Sequence, residues 1–157
     1  MRGFRIHRTD PKVAAMREVD LFRYCSDEVL ADIAGFVTES HFAVGDVLCR
    51  EGQIGRRAFV ILEGQAAVDI GGARVGTLAP GEVVGEMALI DRGRRSATVT
   101  AMTPMTVLTL SVLDFGALLD GGGAPVREIL VQLTRRLRDL ERVSFGSGQL
   151  PAAGRPL

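Results

Sequence analysis

Hydrophobic spacing divides the chain into three stretches. Through about Val37 the spacing is helical: Val29, Leu30, Ile33, Ala34 and Val37 recur at three- and four-residue steps and share one face. Ser26 stands where an N-cap is needed, and Asp27 and Glu28 fall in the first turn, where negative charge meets the positive end of the helix dipole. A shorter helix is expected over Lys12 to Arg17, with Val19, Leu21 and Phe22 docking the segment. From Glu39 to Ser111 the pattern changes to short apolar runs: HFAV, DVLC, AFVILE, QAAVDI, ARVGTL, EVV, SATVTA and MTVLTL. Gly45, the Glu51–Gly55 stretch, Gly64, Gly71-Gly72, Pro80-Gly81 and Thr103-Pro104 interrupt them. About eight short strands at this spacing predict an antiparallel barrel or jelly roll, not a parallel sheet with crossover helices. The glycine pair in IGGAR predicts a tight hairpin.

The last stretch returns to helical spacing. Ser111 caps VLDFGALL, with Asp114 at the N3 position. Gly121, Gly122 and Gly123 break the chain, and Pro125 is suited to open a C-terminal helix over residues 125–143. Along it Val126, Leu130, Leu133, Leu137 and Leu140 form an apolar seam of coiled-coil type, which packs on the barrel or pairs two subunits. The fold class expected is mainly β with flanking helices: a double-stranded β-helix, or jelly roll, of about eight strands with N-terminal and C-terminal helices. The organisation expected is an N-terminal arm over 1–15, one folded domain over 16–143 and a flexible Gly/Pro-rich tail over 144–157.

Composition narrows the function classes. With 46% of 157 residues apolar, a core can form without disulfides or a metal. No apolar run reaches the roughly 18 residues of a membrane span, and the opening MRGFRIHRTDPK has no apolar h-region. Cys25 and Cys49 form no CxxC pair, so a reducing cytoplasm is the expected setting. The 19 basic and 19 acidic residues balance, which gives no bulk argument for nucleic acid or an anionic membrane as partner. All the basic residues except Lys12 are arginine, so only the position of an arginine carries information.

The stretch GEMALIDRGRRSATV, Gly85 to Val99, carries the chemistry. A glycine before a short apolar turn lets the backbone approach a ligand and aims amide groups at an anion. Glu86 offers a carboxylate to sugar hydroxyls, and Arg95, arriving after a polar loop, offers a guanidinium to a phosphate. In isolation Glu86 and Arg95 could be a surface ion pair worth about 0–1 kcal/mol. The flanking pattern favours binding.

This stretch resembles the phosphate-binding cassette of cyclic nucleotide-binding domains, as in protein kinase A regulatory subunits and the bacterial catabolite activator protein. The family pattern is Gly-Glu-apolar-Ala-apolar-apolar, a loop, then Arg-Ser/Ala/Thr-Ala-Thr-Val, and the spacing of Glu86 and Arg95 agrees with it. FAVGDVLCREGQIGRRAFVILEGQAAV and LAPGEVVGE are similar to the strands that precede the cassette, so the resemblance spans roughly 16–143. It implies that Glu86 holds the ribose 2′-hydroxyl and Arg95 the cyclic phosphate. Backbone amides of Met87, Ala88 and Ser96 complete the cradle, and Gly85 permits close approach. Serine at position 96, where threonine is associated with guanine preference, favours cAMP over cGMP. Thr134 or Arg135 is the candidate base contact, on a C-terminal helix that closes over the ligand. Arg94 departs from the family, which often has proline there; the second guanidinium adds affinity or points into solvent, and the loop loses rigidity.

Other classes fit poorly. Two histidines, His7 and His41, cannot supply the ligand set of a jelly-roll metalloenzyme or a metal-dependent phosphodiesterase, and no GxSxG is present. The expectation is a sensor and not an enzyme, with a cyclic nucleotide as ligand and no other cofactor. Arg135, Arg136, Arg138 and Arg142 read as a solvated helix face beside the seam. No helix-turn-helix follows, so direct DNA binding is not expected, and the output goes through an effector protein or domain. The alternative is a degenerate member serving as a protein interaction module, against which Glu86 and Arg95 argue.

Overall fold

The computed structural model describes residues 10–19, 22–23, 25–85 and 92–120. The expected C-terminal helix and tail lie outside them. Helix α1 spans Pro11–Arg17 and α2 spans Asp27–Ala34. The Asp10 side chain accepts from the Lys12 amide at 2.8 Å, and proline occupies the first turn, where its missing N–H costs nothing. Ser26 caps α2 as expected, its Oγ accepting from the Val29 amide at 3.4 Å. Lys12 crosses from α1 to the far end of α2, where Nζ donates to Val37 O at 2.7 Å and approaches Ala34 O at 3.5 Å. Arg17 pairs with Asp27, tying the same two helices at their other end.

Eight strands follow: β1 Thr38–Phe42, β2 Val47–Cys49, β3 Arg57–Glu63, β4 Ala66–Ile70, β5 Ala73–Leu78, β6 Val83–Val84, β7 Thr98–Ala101 and β8 Met105–Ser111, with helix α3 over Val112–Asp120. They form two antiparallel four-stranded sheets, ordered β1-β8-β3-β6 and β2-β7-β4-β5. This is the jelly roll the strand pattern predicts. Gly71 and Gly72 form the expected hairpin turn, both with positive φ (58° and 82°), as a mirror-image two-residue turn requires. Ser111 Oγ accepts from the Asp114 amide at 3.0 Å, so the cap on α3 is also as expected.

Strand limits differ from the apolar runs at several ends. The run HFAV does not continue as strand: β1 ends at Phe42, because the Asp46 carboxylate accepts from the Ala43 amide at 2.8 Å and turns the chain, leaving Val44 63% exposed. The run EVV keeps only Val83 and Val84 in the ladder, opposite Val60 and Phe59.

Two apolar layers hold the molecule. Phe59, Ile61, Val84, Met105 and Val107 fill the space between the sheets with Leu48, Val68, Val99 and their neighbours. Alternation along the same strands turns Val60, Val83 and Leu108 outward, where they pack under Val13 and Met16 of α1, Val29, Leu30 and Ile33 of α2, and Leu118 of α3. Sheet β1-β8-β3-β6 is therefore covered on both faces, which explains the unbroken burial of Ala58–Ile61. Side chains such as Met16 and Ile61, both fully buried, contribute about 1.5–3 kcal/mol each by leaving water. Because Val13 belongs to this packing, the folded part of the chain takes in residues before 16.

Candidate phosphate-binding site

The site forms where β6 ends. Gly85 follows directly, with φ of +79°, a conformation glycine adopts without steric cost. The Arg95 guanidinium lies immediately over it. A Cβ at position 85 would overlap Nη1, stand 2.8 Å from Cζ and come within 3.2 Å of Arg57 O. The structure thus brings together two residues ten positions apart, Gly85 and Arg95, and explains the glycine by the guanidinium.

Arg95 is fixed at both ends. Nη2 donates to the carbonyl of Arg57, at the start of β3. Its backbone is tied to the loop between β2 and β3: the Arg95 amide donates to Gln53 O at 2.8 Å, and its carbonyl accepts from the Gly52 amide at 2.8 Å. The remaining nitrogen, Nη1, is buried and has no hydrogen-bond partner among the described residues. A buried cationic donor without an acceptor is costly, and an anion at Nη1 removes that cost with a charge-assisted hydrogen bond. A phosphodiester supplies that acceptor and its negative charge. The arrangement can hold an anion. Among the described residues no three His, Cys, Asp or Glu side chains converge on a metal-sized site.

Arg94 is exposed, but it does not simply extend into water. Its Nη1 donates to Gly52 O at 2.8 Å. Ser96 is half-buried and follows Arg95 into β7. Glu86, Met87 and Ala88, the expected hydroxyl acceptor and amide donors, lie outside the described residues, as do Thr134 and Arg135, the expected base contacts.

Two contributors escaped the sequence reading. The Arg57 carbonyl is a main-chain group that every residue possesses, so no residue type could announce it. Cys49 ends β2 beside the site, its Sγ reaching Ala97 O at 3.7 Å. Burial pushes the thiol up from its ordinary value; the Arg95 charge and a backbone hydrogen bond at Val99 oppose that rise. The run DVLC signalled a strand there but not which loop it faced.

The family model described as the cyclic nucleotide-binding domain matches residues 39–121, more than half the chain and including Gly85, Arg95 and Ser96. A cyclic nucleotide-gated potassium channel of Rhizobium etli is 37% identical over 97 residues, covering 62% of this chain and 27% of the channel. A cGMP-dependent protein kinase of Eimeria tenella is 36% identical over 93 residues, covering 59% of this chain and 9% of the kinase. The chain therefore spans little more than a quarter of the channel and a small fraction of the kinase. Among solved structures, the N-terminal domain of a transcriptional regulator from Streptomyces coelicolor superposes with a TM-score of 0.72 at 30% identity, covering 80% of this chain and 94% of that one. With the fold, the paired Gly85 and Arg95, and these matches in agreement, the chain belongs to the cyclic nucleotide-binding domain family.

Proposed function

We propose that this domain senses a cyclic nucleotide, cAMP in preference to cGMP, and relays its presence without chemically altering it. The observation that carries this reading is the buried Nη1 of Arg95 above Gly85, which has no hydrogen-bond partner among the described residues. Around it, Glu86 takes the ribose 2′-hydroxyl, and the amides of Met87, Ala88 and Ser96 complete the phosphate cradle. The preference for cAMP rests on serine at position 96. The relative named as a cGMP-dependent kinase makes cGMP the competitor to test.

Output follows from ligand-driven repositioning: the phosphate orders the cassette, and the helix over 125–143 closes on the base through Thr134 or Arg135. The domain works in the cytoplasm through an effector protein or domain. Among the described residues no helix is long and apolar enough to cross a membrane. The seam of Leu130, Leu133, Leu137 and Leu140 pairs two subunits or packs on the barrel; light scattering with and without ligand separates these.

Calorimetric titration with cAMP and cGMP, with Arg95→Ala alongside, tests the reading. Micromolar or tighter binding that collapses in the variant is the expected result, and the ratio of affinities reports the base preference. Absence of heat from both nucleotides, in protein shown to carry no co-purified ligand, would leave an interaction module as the better description.

A further inference from the structure

We propose that Arg94 is a positioning residue for the phosphate arginine, acting as a side-chain clamp in a place where a ring would otherwise stiffen the loop. This inference rests on the cyclic nucleotide reading above and adds a residue to it.

The segment 93–95 and the loop 52–55 meet as a short antiparallel pairing centred on Ile54 and Arg94. The Gly55 amide donates to Gly93 O at 3.0 Å, and the Arg95 amide donates to Gln53 O at 2.8 Å. Gly52 closes the set: its amide donates to Arg95 O at 2.8 Å, while its own carbonyl accepts Nη1 of Arg94 at 2.8 Å. Gly52 also has a φ of +79° and no Cβ to pack, so these hydrogen bonds restrain a residue that has no side chain to do so. Both backbone groups of Arg95 therefore hang on the loop that Arg94 grips. The segment needs such a restraint. Arg92, just upstream, has a φ of 53°, the single left-handed non-glycine residue among those described, and Gly93 follows it.

The main-chain amide of Arg94 takes no part in this pairing, and its φ is not left-handed. Proline at 94 would therefore forfeit no pairing hydrogen bond and would restrain the backbone by its ring. Side-chain clamp and ring are two solutions to one problem: holding Arg95 with Nη1 over Gly85 before an anion arrives. Pre-ordering of this kind raises affinity by lowering what must be ordered on binding.

The test compares Arg94→Ala, Arg94→Pro and Arg95→Ala in the full chain. Cyclic AMP titrations at two salt concentrations are combined with amide hydrogen exchange of the ligand-free protein. Arg94→Ala should bind about fivefold more weakly, the worth of one ordinary hydrogen bond, and exchange at Gly55 and Arg95 should quicken by a similar factor. Arg94→Pro should recover most of the affinity at both salt concentrations. A direct charge contact with the phosphate predicts otherwise: proline as weak as alanine, with a deficit that shrinks in high salt; that result overturns the clamp. Equal binding by wild type and Arg94→Ala overturns it too. If the wild-type protein binds no cyclic nucleotide, the underlying reading falls. Unchanged exchange in Arg94→Ala would then remove the clamp as well, whereas quickened exchange would retain it as a structural restraint.

Discussion

Gly85 and Arg95 constrain each other closely. Alanine at 85 would place Cβ on the guanidinium and force a left-handed backbone on a residue that resists it. Backbone strain of this kind costs about 1–3 kcal/mol, and displacing the guanidinium should weaken ligand binding in addition. Gly45 provides the control, because it has a similar φ (+87°) but a Cβ there would meet nothing within 4 Å. Denaturant melts and cAMP titrations of both variants should show comparable losses of stability, with affinity lost only in Gly85→Ala. If both retain full affinity, Gly85 has no part in presenting the arginine. At this scale the sequence was informative where a contact depends on residue type and local spacing, as for Gly85 and Arg95. It was silent where the contact is made by the main chain, as for the Arg57 carbonyl, and where it crosses between strands, as for Cys49 beside the Arg95 loop. Arg94 falls between the two: its departure from the family pattern was visible, but its partner is a backbone carbonyl 42 positions away.

The α1–α2 pair shows how one side chain can organise an element. Lys12 is the chain's single lysine, and its ammonium serves carbonyls at and just beyond the end of α2, where a cation also complements the negative end of the helix. Lys12→Met keeps much of the aliphatic stem but strands the Val37 carbonyl. We expect a loss of about 1–2 kcal/mol in urea melts, with nucleotide affinity little changed; a neutral variant would make this bond incidental. The strands were legible because apolar runs broken by glycine have little alternative to short antiparallel pairing. Their ends were less so. A run can remain apolar through a turn when a side chain such as Asp46 captures the amide, as at Ala43, and Val44 then pays for its place with exposure. The uninterrupted run AFVIL fits the double coverage of β3, which became visible only once the helices were placed over its outer face.

Across the whole molecule, ligand and fold are linked by mass action. Nucleotide at 100 times its dissociation constant should stabilise the folded state by about 2.7 kcal/mol, if only the folded state binds. In a folded unit of this size that corresponds to a rise in thermal midpoint of roughly 8–15 °C. Scanning fluorimetry should show the rise with cAMP and lose it in Arg95→Ala; an equal rise in the variant would mean binding elsewhere on the protein. The linkage has a structural basis in the Arg57 carbonyl. It joins the guanidinium to β3, whose Val60 packs beneath the helices while Phe59 and Ile61 face the opposite sheet.

Strand β6 is a mechanical anchor. It is two residues long, and its side chains are sunk in different cores, Val84 between the sheets and Val83 under the helices. A slip of one position would exchange those faces and bring an ordinary residue to the left-handed backbone that Gly85 occupies. The strand cannot creep along β3 by small amounts; it is anchored at one setting. Gly85 is accordingly the clamped end of a cantilever, at a point the two cores have already fixed.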